Sequence, residues 1–357
     1  MLQIPNGQDP GIRRSIAGRL LRASAALPGR RDTIDASGPG RTVLAYLPQL
    51  RSSVRAGLTS SPKSLPARYL LDARGRELAE QIAGRPEYYR CRAEASIMAE
   101  RATQIAAGTG CQTLVQLGSS PLSPATRLLL DALAAARTFR ELVLFDLDPA
   151  ALAAGATALA GEYPSLTITP VTGDLEADLA GAAGSGGRML FSMTESAAGT
   201  LEPSARSSFL RRLRAVLRPD DFFLLSADLV REPARLQRAY NDEGGLAAEL
   251  SRNALTVLNR ELDADFSVQA YQYEAAWVPG QEQLEMRLRA TSDQAVTIAG
   301  ADLIVHFRAG DTIRTGIAAK FRPGRLIAEL ARAGLRMQRL WTDAERDYCL
   351  SLSQPAG

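Results

Sequence analysis

The stretch TLVQLGSSPLSPATRLLLDALAAARTFRELVLFDLD, residues 113–148, decides the fold. Two short apolar runs, TLVQLG and LVLFDLD, enclose the helix-forming segment ATRLLLDALAAA. A strand, a helix and a second strand in this order form a βαβ unit, in which the two strands run parallel. Three more apolar runs, LTITPVTGD, RMLFSM and DFFLLSAD, continue the series. The sequence therefore predicts a doubly wound α/β fold, with a mostly parallel sheet covered by helices on both faces.

The pattern changes after Asp228, where long helical segments replace the alternation of strands and helices. Two strand patterns that suit antiparallel pairing follow, QYEAAWV and QLEMRLRAT, with a third in LIVHFRA. The final segment, ELARAGLRMQRLWTDAERDYCLSLSQ, predicts a return of the chain to the first sheet. We therefore expect an inserted α+β lobe. Residues 1–45, rich in Gly, Pro, Arg and Ser, are predicted to form a poorly ordered N-terminal arm.

The composition excludes several classes of protein. With 42 basic and 39 acidic residues among 357, the charge is too balanced to indicate a nucleic-acid partner. Three widely separated cysteines and a single histidine indicate neither a disulfide framework nor a metal site. No apolar run approaches the roughly 20 residues that cross a bilayer. We expect a cytoplasmic protein that acts on a small molecule, without a membrane partner; the oligomeric state stays open.

Three residues that close successive strands are candidates for a ligand site. Gly118 closes the first strand, Asp146 the second and Asp174 the third. Ligands of open α/β sheets bind at the carboxyl ends of strands, where an acid about 20 to 30 residues after a glycine turn holds a ribose diol. Asp174 is placed to accept from an adenine amino group. The alternative role of such acids is to cap a helix or start a turn. No G-x-G-x-x-G motif is present, so a nicotinamide dinucleotide is disfavoured.

Longer segments carry a resemblance that runs colinearly from about Val54 to the end of the chain. They are RAGLTSSPKSLPARYLLDARGRELAEQIAGRPEYYRCRAE, FDLDPAAL, VTGDLE, DLVREPARLQRAYND, SRNALTVLNRELDADF, LEMRLRA, AAKFRP and WTDAERDYCLSLS. These segments resemble the histidine-specific S-adenosylmethionine (SAM) methyltransferases, whose fungal relatives methylate dimethylallyltryptophan. The resemblance implies a Rossmann-like methyltransferase sheet formed by residues 91–228 and 321–357. It implies a substrate-recognition lobe formed by residues 46–90 and 229–320.

The resemblance implies SAM as the cofactor, and it assigns four residues to its site. These are Gly118, Ser119, Asp146 and Asp174. Two positions depart from the family, whose cofactor loop reads G-S-G and is followed by a lysine in the next helix. Here Ser120 follows Ser119, and Ala125 stands near the lysine position.

The family's pair of substrate-binding tyrosines matches Tyr88 in PEYY and Tyr240 in RAYND. The resemblance therefore implies that both are catalytic and bind the amine and carboxylate of an amino acid. A phenol is able to donate to a carboxylate or to accept from an amine. Without the resemblance, both tyrosines would be read as core residues with satisfied hydroxyls. Thr200 in ESAAGT stands where the family's G-S-T-I-G-N turn has an asparagine that clasps the substrate.

Positions that recognise the imidazole in the family are replaced in this chain. The Glu and Ser of its T-E-x-S motif align with Gly316 and Ala318, and a Tyr and a Phe of the pocket align with Leu71 and Ala79. Met286 is predicted to remain as a flexible wall. These substitutions predict a wider and more apolar pocket, which removes the polar partners that bound histidine needs.

The predicted activity is therefore SAM-dependent N-methylation of an amino acid or related specialised-metabolite amine other than histidine. The alternative is a non-catalytic or repurposed relative with weakened SAM binding, acting as a binding subunit or in other biosynthetic chemistry. The altered positions Ser120, Ala125 and Thr200 favour that alternative, while Asp146 and Asp174 favour the enzyme.

Overall fold

The computed structural model describes residues 40–65, 72–118, 123–177, 179–183 and 186–357. Its strands are β1 (Lys63–Ser64), β2 (Thr113–Leu117), β3 (Glu141–Asp146), β4 (Thr167–Thr172), β5 (Met189–Met193), β6 (Phe222–Asp228), β7 (Tyr271–Val278), β8 (Gln283–Ala290), β9 (Gln294–Ile298), β10 (Leu303–Phe307), β11 (Thr312–Ala319), β12 (Leu335–Thr342) and β13 (Tyr348–Pro355). Its α-helices are α1 (Gly40–Thr59), α2 (Ala73–Ala83), α3 (Arg90–Thr109), α4 (Pro124–Ala135), α5 (Pro149–Glu162), α6 (Pro203–Val216), α7 (Pro233–Ala239), α8 (Leu246–Glu261) and α9 (Pro323–Arg332).

The larger sheet has seven strands in the order β12-β13-β6-β5-β2-β3-β4. Strands β2 to β6 pair in parallel, whereas β13 pairs antiparallel with β6 and with β12. Strand order reverses at β2, which lies between β3 and β5. This switch point is where an open α/β sheet binds its ligands. The predicted α/β fold with a Rossmann-like sheet is confirmed.

Alternate residues of the parallel strands face two separate cores. Leu114 and Leu142 belong to one buried cluster, whereas Val115 and Val143 belong to another. The strands are buried on both faces because helices cover both sides of the sheet, and this explains why they read as continuous apolar runs. Helix α4 begins where the Ser123 side chain accepts from Thr126 N, with Pro124 in the first turn.

A second sheet of four strands has the order β1-β11-β8-β7. Two details differ from the sequence prediction. The segment LIVHF forms β10, which pairs with β9 in a separate two-stranded sheet. The strand that joins β8 is instead β11, where a bulge between Arg314 and Gly316 interrupts the side-chain alternation that would have revealed it.

The predicted N-terminal arm lies mostly outside the described residues. Helix α1 begins at Gly40, so it includes residues 40–45 of that arm. From residue 47 onward the chain forms one compact unit. Within the described ranges, no helix is long and apolar enough to cross a membrane.

Candidate active site

The carboxyl ends of β2, β3 and β4 place the predicted cofactor residues side by side. Gly118 follows β2 with φ of +83°, and its N–H donates to the Phe145 carbonyl at 2.9 Å. This left-handed conformation suits glycine because a Cβ atom would be strained there. Ser119 and Ser120 lie outside the described residues, and Ala125 is buried in α4.

Two carboxylates complete this edge of the sheet. Asp146 at the end of β3 accepts from Asp148 N–H at 2.9 Å, and burial raises the pKa of its carboxyl. Asp174, just beyond β4, accepts from Glu176 N–H at 2.8 Å. Both acids therefore shape their own turns, as the capping alternative predicts. Both also remain half-buried rather than enclosed, so their carboxylates stay accessible to a ligand.

The two predicted tyrosines meet at a single arginine. Tyr88 precedes α3 and Tyr240 ends α7, and their rings pack edge to face with centroids 5.9 Å apart. Arg90 Nη1 donates to the Tyr88 hydroxyl at 2.7 Å and to the Tyr240 hydroxyl at 2.8 Å. Burial raises the pKa of both phenols well above their ordinary value, so both are protonated. Because a guanidinium only donates, each phenol keeps its own O–H free to donate elsewhere.

A buried ion pair also contacts the Tyr240 hydroxyl. Lys320 Nζ donates to Asp228 Oδ2 at 2.6 Å and to the Tyr240 hydroxyl at 3.0 Å. Asp228 also accepts from the Tyr89 hydroxyl at 2.6 Å. The backbone fixes this meeting, because Phe321 N–H donates to the Asp228 carbonyl at 2.8 Å and so ties the end of β6 to the chain beyond β11.

The loop after β5 holds Arg90 in place. Glu195 and Ser196 both have left-handed backbones, with φ of +59° and +53°. The Glu195 carbonyl accepts from Arg90 Nη2, and its N–H donates to both carboxylate oxygens of the buried Glu94 at 3.0 Å. Burial raises the pKa of Glu94, against the opposing effect of that N–H. Consecutive non-glycine residues in this region store strain of the kind found at functional sites.

Thr200 lies at the end of the same loop. Its side chain is exposed, and its hydroxyl donates to the Ala197 carbonyl at 2.8 Å. Within the described residues, the hydroxyl is therefore bound to its own turn. Its predicted contact with substrate stays a prediction; while the hydroxyl donates to Ala197, its oxygen is able to contact a substrate only as an acceptor.

The wall predicted to recognise the substrate side chain is apolar. On adjacent strands, Gly316 pairs with Met286 and Ala318 pairs with Leu284. Met286, Leu284 and Ala318 pack with the core cluster that contains Tyr240. The charged side chains of β8, Glu285 and Arg287, alternate with these residues along the strand and so occupy the opposite face. Ala79 is half-buried on α2, and Leu71 lies outside the described residues.

The sequence profile described as "Histidine-specific methyltransferase, SAM-dependent" matches residues 50–355. The chain belongs to this family. A histidine N-alpha-methyltransferase of Mycobacterium tuberculosis (strain CDC 1551 / Oshkosh) is 46% identical over 304 residues, which cover 85% of this chain and 94% of the relative. That of Mycolicibacterium smegmatis is 45% identical over the same shares. An N-methyltransferase of Aspergillus flavus, imqF, is 24% identical over 85% of each chain.

Family membership confirms the predicted enzyme class and cofactor. The protein is a SAM-dependent N-methyltransferase. The residues at the strand ends fit SAM, because a half-buried carboxylate at Asp146 suits ribose hydroxyls and the left-handed Gly118 keeps the turn free of a side chain. When bound, SAM supplies a sulfonium-activated methyl group, which needs no covalent enzyme intermediate.

The sequence interpretation missed the charged residues that hold the tyrosines. Arg90, Asp228 and Lys320 are separated by more than ninety positions along the chain, so no local pattern links them. One signal was available, since Lys320 is one of only two lysines in a chain whose other basic residues are all arginines, apart from its single histidine. A lysine kept in such a chain indicates a site that a guanidinium does not suit.

Replacing Asp146 with alanine is expected to weaken SAM binding about 10- to 100-fold, because hydrogen bonds to a charged group contribute roughly 1.5–3 kcal/mol. Isothermal titration of the cofactor-free protein with SAM and with S-adenosylhomocysteine measures the effect. The matched control is Asp220→Ala, in an exposed turn before β6, which should bind like the wild type. Equal affinities for the Asp146 variant and the wild type would remove Asp146 from the cofactor site.

Proposed function

We propose that this enzyme methylates the α-amino group of an amino acid, or of a closely related specialised-metabolite amine, whose side chain is apolar or aromatic rather than an imidazole. The observation that carries this proposal is the pairing of two arginine-bound tyrosines with an apolar strand face. The tyrosines suit the amino and carboxylate groups that all amino acids share. The strand face formed by Met286, Gly316 and Ala318 suits the side chain.

The tyrosine pair supports recognition of a carboxylate. Arg90 Nη1 donates to both hydroxyl oxygens, at 2.7 and 2.8 Å. The distance between the two oxygens is therefore no greater than the sum of these two lengths. Both phenols are left with a proton to donate, and the guanidinium behind them makes those protons better donors. Tyr88 is assigned to the carboxylate because its oxygen contacts only a permanent cation among the described residues. Tyr240 is assigned to the amine because it also contacts Lys320.

The strand face supports the choice of side chain. An imidazole needs hydrogen-bond partners when it is buried, and the cost of leaving it without them is about 1–3 kcal/mol per group. Gly316 contributes no side chain, while Ala318 and Met286 contribute only apolar atoms and a thioether. A flexible methionine accommodates rings of different shape. Burial in this pocket therefore costs an aromatic or aliphatic side chain less free energy than it costs histidine, because such a side chain leaves no hydrogen-bonding group unsatisfied.

The protein contributes to methyl transfer mainly by aligning the two reactants and excluding water. The tyrosines would hold the amine and carboxylate in one orientation, and correct placement of reactants is among the largest contributions that an enzyme makes. The buried position of Tyr240, with 9% of its surface exposed, keeps solvent from the hydroxyl that contacts the amine. A cytoplasmic location remains part of this proposal.

The proposal is tested by comparing methyl acceptance from SAM across histidine, phenylalanine, tyrosine, tryptophan and leucine. We expect kcat/KM for one or more apolar or aromatic amino acids to exceed that for histidine. Restoring the family's residues with Gly316→Glu and Ala318→Ser should raise kcat/KM for histidine about 10- to 100-fold, from a regained charged hydrogen bond. Gly316→Gln with Ala318→Ser is the matched control and should gain less, because the amide carries no charge.

Mass spectrometry of the product identifies the methylated nitrogen and the number of methyl groups. Faster turnover of histidine than of every aromatic amino acid by the wild-type enzyme would overturn the substrate proposal. It would leave the assignment as a SAM-dependent N-methyltransferase intact.

A further inference from the structure

Among the described residues that contact the Tyr240 hydroxyl, Lys320 is the one that is able to change from hydrogen-bond donor to acceptor. Arg90 also contacts this oxygen, but a guanidinium stays charged and always donates. A lysine donates when it is charged and is able to accept when it is neutral. Lys320 is 0% exposed, so it exchanges protons through its polar neighbours rather than directly with bulk water.

The Tyr240 oxygen has two lone pairs, and their occupancy depends on Lys320. Arg90 takes one lone pair, and a charged Lys320 takes the other. In that state an approaching substrate ammonium finds no acceptor on Tyr240. When Lys320 is neutral it accepts the Tyr240 proton, which leaves one lone pair for a substrate N–H. Binding of the ammonium through Tyr240 therefore requires a neutral Lys320.

We propose that Lys320 is the proton acceptor for the substrate amine, acting through the Tyr240 hydroxyl. The inference rests on the proposed function, because it assumes an amine held at Tyr240. In this step an N–H bond of the ammonium breaks and an O–H bond forms at Tyr240, while the original Tyr240 O–H bond breaks and an N–H bond forms at Lys320. The substrate nitrogen is left neutral with a lone pair, as methylation requires, and Lys320 is left charged beside Asp228.

The groups around Lys320 favour this exchange. Asp228 faces it from the end of β6, Arg90 from the start of α3 and Tyr240 from the end of α7, while Tyr89 reaches it through Asp228. Burial lowers the pKa of Lys320 from 10.5 to about 8, with Arg90 acting in the same direction and Asp228 opposing both. A group that titrates near neutral pH is well matched to accepting and releasing a proton in each cycle.

The chain allows a direct measurement of this titration. Lys63 and Lys320 are its only lysines, so the variant Lys63→Arg leaves Lys320 as the only lysine. With ¹³C-labelled lysine in this variant, the Cε resonance of Lys320 is expected to titrate with a midpoint near pH 8, below the ordinary lysine pKa of 10.5. A resonance that stays in its charged form to pH 10 would overturn the proposal. This measurement needs no substrate and no bound cofactor.

The kinetic arm compares Lys320→Arg with Lys63→Arg. An arginine still donates to Asp228 and Tyr240 but does not accept a proton at these pH values. For Lys320→Arg we expect kcat/KM for the amine to fall about 100-fold or more, because the guanidinium permanently occupies the Tyr240 lone pair that the amine needs. The wild type and Lys63→Arg should show kcat/KM rising with pH through about 8, and Lys320→Arg should lose that rise. A purely structural role would not remove it.

The outcomes separate the two proposals. A wild-type enzyme that methylates no amino acid or related amine overturns the proposed function itself, while the lysine titration still tests the protonation of Lys320. Turnover by the wild type together with an unchanged pH profile in Lys320→Arg overturns the proton-acceptor role alone. Titration of each variant with S-adenosylhomocysteine confirms that its cofactor site has folded.

Discussion

Replacing Tyr240 with phenylalanine is expected to lower kcat about 10²- to 10⁴-fold, the usual range for losing a group that moves a proton in the reaction. The hydroxyl of Tyr240 accepts from Arg90 and from Lys320. Its removal would cut the proposed route from the substrate amine to Lys320. Steady-state kinetics with the best amino acid from the substrate panel measures the effect.

The same substitution also affects stability, and this requires a control. Removing the hydroxyl leaves two buried donors with one acceptor fewer, which costs about 1–3 kcal/mol for each unsatisfied group. Tyr271→Phe is the matched control, because the Tyr271 hydroxyl is buried without a hydrogen-bond partner among the described residues. It should leave kcat unchanged and should keep or slightly raise the free energy of unfolding.

Tyr88→Phe separates binding from proton movement. Its hydroxyl contacts Arg90 but, among the described residues, not Lys320. We therefore expect this variant to raise KM for the amino acid more than it lowers kcat. A Tyr240→Phe enzyme with nearly wild-type kcat would contradict the role assigned to this hydroxyl, since Tyr88 would then suffice.

The parts of the fold that could be predicted are those that local pattern decides. Strands β2, β3, β5 and β6 are almost wholly buried, so each reads as a continuous apolar run. Strand β11 could not be read this way, because TIRTGIAA mixes polar and small residues and its bulge shifts the alternation. The four-stranded sheet was therefore predicted less completely than the seven-stranded sheet.

The candidate site likewise contains residues that local pattern reveals and residues that only tertiary packing brings together. Gly118, Asp146 and Asp174 could be found because the carboxyl ends of parallel strands must share one edge of the sheet. The cluster of Arg90, Asp228 and Lys320 could not, since its contacts depend on how α3, β6 and the end of β11 pack together. Charged residues are almost always exposed, and only the folded chain shows that these are not.

Replacing Asp228 with asparagine is expected to lower the free energy of unfolding by about 3–5 kcal/mol, the usual cost of removing one partner of a buried ion pair. Asp228 is 0% exposed and is the carboxylate that Lys320 contacts at 2.6 Å, while Arg90 Nε lies 3.5 Å away. An asparagine would leave two buried cations without their compensating charge. Urea denaturation followed by circular dichroism measures the change.

The second variant that completes this test is Asp228→Asn combined with Lys320→Met. Removing both charges should recover part of the stability lost in Asp228→Asn, because only Arg90 then stays uncompensated. If the two side chains did not interact, the losses of unfolding free energy from the two substitutions would simply add. Asp347→Asn is the matched control: this acid is also buried, but its partners Arg231 and Arg235 are 32% and 45% exposed. Water replaces the lost contact there, so we expect a cost of about 1 kcal/mol or less. Equal losses for Asp228→Asn and Asp347→Asn would mean that the Lys320 and Asp228 charges are not compensating one another in the folded protein.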